Sequence, residues 1–267
     1  MRTGRWCCGK LAAPGYLCEM QIIPLSEGSF TIDKTKRFIP FDLDNDDLQQ
    51  RPTGSLLVEV QPFAVLTTED ILVLDTGLGF KQDGELQIHR NLRNAGIDPA
   101  RVTKVLMSHL HKDHAGGIGG DCGDGAASRS LAFPHARYYV QRKELEYAFE
   151  KGPSSYITEE LECLRSSEQV EFLDGDGVID GYIKYSITGA HCPWHQAFWI
   201  VDGGETVFFG GDVAPTLQQM KSRFVAKYDY DGKLAMELRQ QWWKQGQEEG
   251  WRFLFYHDVK MPVWPAS

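Results

Sequence analysis

The chain has 267 residues, 42% hydrophobic and 24% charged, which is the composition of a globular protein and not of a disordered or collagen-like one. No run approaches the roughly 20 apolar residues of a membrane helix, and a formal charge of −9 opposes a phosphate backbone, so neither membrane nor nucleic acid is an expected partner. The six cysteines match no paired CxxC framework and no apolar signal-type stretch precedes them, so a reducing, cytoplasmic setting is expected.

Residues 1–19 lack periodicity and read as a leader or tail, leaving 20–267 as a single domain. Short strands follow at 55–60, 63–67 and 71–74, the last ending in Asp75-Thr76-Gly77. An amphipathic helix is predicted over 86–95 with Gly96 closing it, then a buried strand over 104–108. The alternation repeats with a strand at 137–141, a helix at 142–150, and a helix for which Thr158 is the predicted N-cap. Strands are predicted at 170–173, 178–180 and 182–188, and a hairpin joins 197–201 to 206–209 through Asp-Gly-Gly-Glu. A helix over 233–245 and a strand over 251–256 close the chain. With no solenoid repeat and no Gly/Ser/Pro-rich linker, the pattern is that of one layered α+β domain.

Two motifs are set aside. Asp42, Asp44 and Asp46 suggest a calcium loop, but that pattern requires Gly at 47 and Glu at 53, where this chain has Asp47 and Thr53. The Gly-rich stretch 116–125 has no Gly-Lys-Ser/Thr after it, so it is not a phosphate-cradling loop.

The stretch that carries chemistry is Ser108-His109-Leu110-His111-Lys112-Asp113-His114-Ala115-Gly116-Gly117. Three histidines and an aspartate crowded just beyond a strand are good donors for zinc and similar divalent ions. In an extended segment His109 and His111 point to the same side, as two ligands of one ion should, while Asp113 and His114 turn away and can serve a second ion. His191, Asp212 and His257 each stand at the end of a strand-like segment and are further candidate ligands.

SHLHKDHAGG is similar to the HxHxDH signature of the metallo-β-lactamase-fold hydrolases, and the later segments follow that family's order from about residue 22 to residue 259. The resemblance implies an αββα four-layer sandwich with two divalent ions at the sheet edge, zinc first, with iron or manganese as alternatives. It assigns His109, His111 and His191 to one ion, Asp113, His114 and His257 to the other, and Asp212 as the bridge. Asp75 resembles the family's buried aspartate that supports the ligand loop, and His195 reads as structural. The implied reaction is hydrolysis by a metal-bridging hydroxide, with Asp113 shuttling the proton. Cys192, beside a proposed ligand, is expected to be dispensable.

The nearest family members in appearance are the N-acyl-homoserine-lactone lactonases and related organophosphate hydrolases, so the expected substrate is a small ester, a lactone first. Phosphotriester, phosphodiester and glyoxalase-II-like thioester hydrolysis are the alternatives, and a catalytically silent metal-binding domain is the non-enzyme one. The chain departs from the lactonases in one respect: they place a Tyr shortly after the bridging Asp, where Asp212 is followed by Val213, Ala214 and Pro215. The protein is expected to work alone or as a homodimer.

Overall fold

A computed structural model describes residues 20–120 and 130–265. The segment 1–19, expected as a leader or tail, lies outside the described residues, as do Cys7, Cys8, Cys18 and Cys122.

Strand Ile71–Leu74 shows how the sequence builds layers. Leu72 and Leu74 enter one core and Val73 another, because successive side chains of a strand point to opposite faces. The same split recurs on the other sheet, where Val207 and Phe209 face the first core and Phe208 a third. Two six-stranded sheets result. In spatial order the first holds Gln21–Pro24, Phe63–Leu66, Ile71–Leu74, Lys104–Leu106, Arg137–Gln141 and Val170–Leu173. The second holds Gly177–Ile179, Ile183–Ile187, Gln196–Asp202, Glu205–Phe209, Arg252–Leu254 and Val263–Trp264.

The sheets share a core of Leu72, Leu74 and Leu106 against Phe198, Ile200 and Phe209. Helices Gln87–Asn94, Arg142–Lys151 and Thr158–Ser166 cover the outer face of the first sheet. The long helix Gly232–Glu249 covers that of the second through Trp242, against Phe208 and Phe253. This is the αββα four-layer sandwich. A smaller sheet of Phe38–Pro40, Gly28–Ile32 and Leu56–Val60 stands beside it. No described helix is long and apolar enough to cross a membrane.

Several predicted boundaries move. Thr158 is the first helical residue and not the cap; Ile157 holds that position, with no side-chain cap bond. The last helix is longer than predicted because Asp231 caps it, accepting from Leu234 N, and Gly250 at φ 70° ends it in the left-handed conformation. The strand predicted at 251–256 is cut to Arg252–Leu254: Phe255 N still donates to Pro262 O, but Pro262 has no N–H to return the bond. The hairpin forms as read, with Gly203 and Gly204 both at positive φ, as a two-residue turn of this hand requires. The acidic loop at 42–47 closes on itself: Asp42 accepts from Asp44 N and Asn45 Nδ2, and Asp46 accepts from Asp42 N.

Candidate metal centre

Strand ends deliver the donors. His109 and His111 follow Lys104–Leu106, His191 follows Ile183–Ile187, Asp212 follows Glu205–Phe209 and His257 follows Arg252–Leu254. Asp113 and His114 lie on a one-turn helix, Lys112–Ala115, of which His111 is the extended N-cap residue. The switch from extended to helical backbone at His111 carries Asp113 and His114 to the second group of donors, but the His114 ring does not turn away from His109 as expected and lies 4.2 Å from it.

The seven predicted residues converge in two overlapping groups: His109, His111, His191 and Asp212; and Asp113, His114, His257 and Asp212. Within each, the donor atoms lie within 4.8 Å of one another. Asp212 is shared, and its oxygens divide the work. Oδ2 is 3.3 Å from His191 Nε2, while Oδ1 is 3.1 Å from His114 Nε2 and 3.0 Å from His257 Nε2. His111 Nδ1 faces His109 Nε2 at 2.9 Å and His191 Nε2 at 3.1 Å. Asp113 Oδ2 stands 3.7 Å from His114 Nε2 and 3.5 Å from His257 Nε2.

Divalent cations fit this donor set. Imidazole nitrogens that face one another repel through their lone pairs unless an electrophile lies between them. Bonds of about 2.0–2.1 Å in a tetrahedron place ligand atoms about 3.3 Å apart, in the range of these separations. Moreover, His114 Nε2 and Asp212 Oδ1 are buried and, although only 3.1 Å apart, neither makes a hydrogen bond of good geometry, which leaves both suited to a shared cation.

Four imidazoles are oriented from behind through Nδ1, which leaves Nε2 toward the centre. His257 Nδ1 donates to Glu59 O at 2.6 Å. His114 Nδ1 is 2.8 Å from Asp75 Oδ2, His191 Nδ1 is 2.9 Å from Asp229 Oδ1, and His109 Nδ1 is 3.0 Å from Ser108 Oγ. His195 stays outside both groups: its Nε2 accepts from Asp212 N at 3.2 Å, so it holds the shared aspartate in place.

Burial, reinforced by neighbouring imidazoles, pushes His109 and His111 well below the usual histidine range and keeps them neutral. For His114 and His257, burial opposes the charge, but the Asp212 and Asp113 carboxylates overcome it and raise both. Asp212 is itself held well below the usual carboxylate range, since His257, His114 and His191 outweigh its burial.

Sequence reasoning missed Asp229 and Glu144. Glu144 Oε1 accepts from Leu110 N at 3.1 Å and Tyr156 OH at 3.2 Å, and Oε2 accepts from Cys192 Sγ at 3.3 Å. One buried carboxyl thus joins the His109–His111 loop to the His191 loop, and Tyr156 packs on the His111 ring at 4.8 Å. In the sequence Glu144 is one more polar residue of an amphipathic helix, with no spacing to mark it.

A profile of the Metallo-beta-lactamase superfamily matches residues 57–248. The chain belongs to this superfamily. Among relatives of the metallo-beta-lactamase superfamily, an N-acyl homoserine lactonase AttM from Agrobacterium fabrum is 31% identical over 142 residues, 49% of each chain. One from Azorhizobium caulinodans is 36% identical over 118 residues, 39% of this chain and 38% of its own. The match thus spans about half the length of these curated relatives, or less. Among solved structures, the dizinc quorum-quenching lactonase AidC superposes with a TM-score of 0.68 at 18% identity, covering 93% of this chain and 90% of its own. The hydrolase AbOPH superposes with a TM-score of 0.66 at 22% identity, covering 95% and 93%. At these identities the superpositions establish the fold.

Proposed function

We propose that the protein is a metal-dependent hydrolase that opens a lactone to its hydroxy acid. The observation that carries this reading is the division of Asp212, whose two oxygens face two separate sets of donors. His109, His111 and His191 would hold one cation, Asp113, His114 and His257 the other, and Asp212 both. Two divalent cations, zinc first and iron or manganese as alternatives, supply Lewis acidity at the ester carbonyl and make water a nucleophile at neutral pH.

The chain's own residues do the rest. Asp113 Oδ2, facing both His114 and His257, takes the proton of the attacking water and returns it to the leaving alkoxide as the C–O bond breaks. Asp75 and Asp229 hold two imidazoles in register, and Glu144 keeps two ligand loops at a fixed distance. The choice of a lactone draws on the relatives named N-acyl homoserine lactonase. The buried thiols of Cys163 and Cys192 suit a reducing cytoplasm.

The test joins metal analysis to a panel of lactones, thioesters, phosphotriesters and phosphodiesters on the same sample. Two ions per chain with lactones turned over best is the expected result. Saturation at one ion would overturn the dinuclear assignment, and a different best substrate would overturn the lactone. Asp113→Asn separates ligation from proton transfer, since an amide ligates feebly but cannot accept and return a proton. Its rate loss at matched metal occupancy should be larger on esters with poor leaving groups than on activated aryl esters.

A further inference from the structure

The two halves of the centre differ in charge. The half built on Asp113, His114 and His257 has a carboxylate of its own, and Asp75 stands behind His114. The half built on His109, His111 and His191 has three imidazoles and only a share of Asp212. Neutral imidazoles alone leave a dication poorly compensated in a buried site.

Asp229 offsets this difference. Its side chain is 1% exposed and its Oδ1 lies 2.9 Å from His191 Nδ1. The segment that carries it is tied to the His191 loop by main-chain bonds as well, Tyr230 N donating to His191 O at 3.1 Å and Asp231 N to Ala190 O at 2.7 Å. Asp231 in turn caps the long helix Gly232–Glu249, so Asp229 stands on a rigid support. From that helix the fully buried Arg239 donates to Val213 O at 2.8 Å, beside Asp212, and to Phe224 O, and its charge acts on Asp229. The same helix that Asp231 caps thus also supports the loop of the shared aspartate, through the buried guanidinium of Arg239.

We propose that Asp229 is a positioning residue whose negative charge, passed through His191, sets the affinity of the three-histidine half for its cation. This rests on the metal-centre reading above and on no choice of substrate. A carboxylate behind an imidazole orients the ring, fixes its tautomer and makes the facing nitrogen a stronger donor; removing such partners typically costs about 10–100-fold in metal affinity.

The experiment titrates metal-free wild-type and Asp229→Asn protein with zinc against a chromogenic chelator, and with cobalt(II) followed by its visible absorption. Asparagine keeps the size and an acceptor oxygen but not the charge. The expected result is two ions in both proteins, one of them bound about 10-fold or more weakly in the variant, with a changed cobalt spectrum and an unchanged melting temperature of the metal-free form. Two ions bound as tightly as in wild type, with the same cobalt spectrum, would overturn the proposal. If wild type itself takes up no second ion, the dinuclear reading fails, a result distinct from this one. Should Asp229→Asn not fold, Asp229→Ser with added formate replaces it: weakened cobalt binding restored by formate supports the proposal, and undiminished binding without formate overturns it.

Discussion

Asp75 accepts hydrogen bonds from three donors while its carboxylate meets His114, with His114 Nδ1 2.8 Å from Asp75 Oδ2 and both side chains fully buried. The same Oδ2 accepts from Ser108 Oγ at 2.6 Å, and Oδ1 accepts from Ser108 N at 2.7 Å. Because every partner is a donor, the amide of Asp75→Asn must set an NH2 against one of them. Asn tolerates the left-handed φ of 57° found here, so backbone strain does not confuse the result. We expect Asp75→Asn to cost about 3–5 kcal/mol and to lower metal content at the Asp113, His114 and His257 half. Chemical denaturation of the metal-free form, with metal analysis, checks both; an unaltered midpoint would contradict the expectation.

Metal uptake should release protons. Without metal, the Asp212 and Asp113 carboxylates hold His114 and His257 protonated to higher pH than an ordinary histidine, and both must lose that proton to ligate through Nε2. Calorimetric zinc titration near neutral pH, run in buffers of different ionisation enthalpy, should give heats that depend on the buffer. The stability linkage has a definite sign. These raised pKa values contribute stability that is fully present below the unfolded value of about 6.5 and is lost as pH rises through the folded values. Metal-free protein should therefore weaken across that window, and zinc-loaded protein should not.

Glu27 carries a pH dependence away from the centre. Burial pushes its carboxyl up to about 8, against the bond it accepts from Leu78 N, and its Oε1 has no hydrogen-bond partner. A carboxyl raised in the folded state binds protons that the unfolded chain has released, so stability falls as pH climbs from about 4.5 to about 8. Glu27→Gln should be nearly neutral at pH 4 and stabilising above pH 8 on the order of 5 kcal/mol. Thermal melts at the two pH values test it; equal shifts at both would contradict the assignment.

Cys192 and Glu144 form one contact but should respond unequally. Cys192→Ala removes a single thiol donor and should cost about 1–2 kcal/mol, with turnover retained. Glu144→Ala strands both Leu110 N and Tyr156 OH and frees two ligand loops, at a cost of about 1–3 kcal/mol for each stranded group. Melting temperatures and metal affinities of the two variants should separate clearly. A Cys192→Ala protein with normal metal content and no turnover would point to thiol chemistry instead.

Gly117 makes the close approach of the ligand loop to the Asp75-Thr76-Gly77 turn. A Cβ there would lie 2.1 Å from Thr76 O, and Gly117 N already donates to Gly77 O at 3.3 Å. Gly117→Ala must move one backbone segment away from the other, so a loss of several kcal/mol and of metal is expected. Denaturation with metal analysis checks it.

What the sequence determined by itself was local. Four donors fall within six residues at His109, His111, Asp113 and His114, which marks a metal site, but the sequence reads there as an extended segment, and the one-turn helix that carries Asp113 and His114 to the second group came from the structure. Strand alternation explains the layers once the sheets form, since the side chains of Leu72, Val73 and Leu74 divide between two cores, but the four-layer sandwich was expected from the resemblance alone. His191, Asp212 and His257 stood out in the sequence only as single residues at strand ends, and the resemblance alone assigned each its place. Asp229, Glu144 and Arg239 were not legible at all. A loop aspartate, a helix glutamate and a helix arginine look like solvated charges in one dimension; each acquires its role when packing of the sheets brings residues such as Asp229 and His191, 38 positions apart, to hydrogen-bond distance inside a water-excluding core. Which charges are buried and what they face follows from the closing of the two sheets, and so only the tertiary structure decided it.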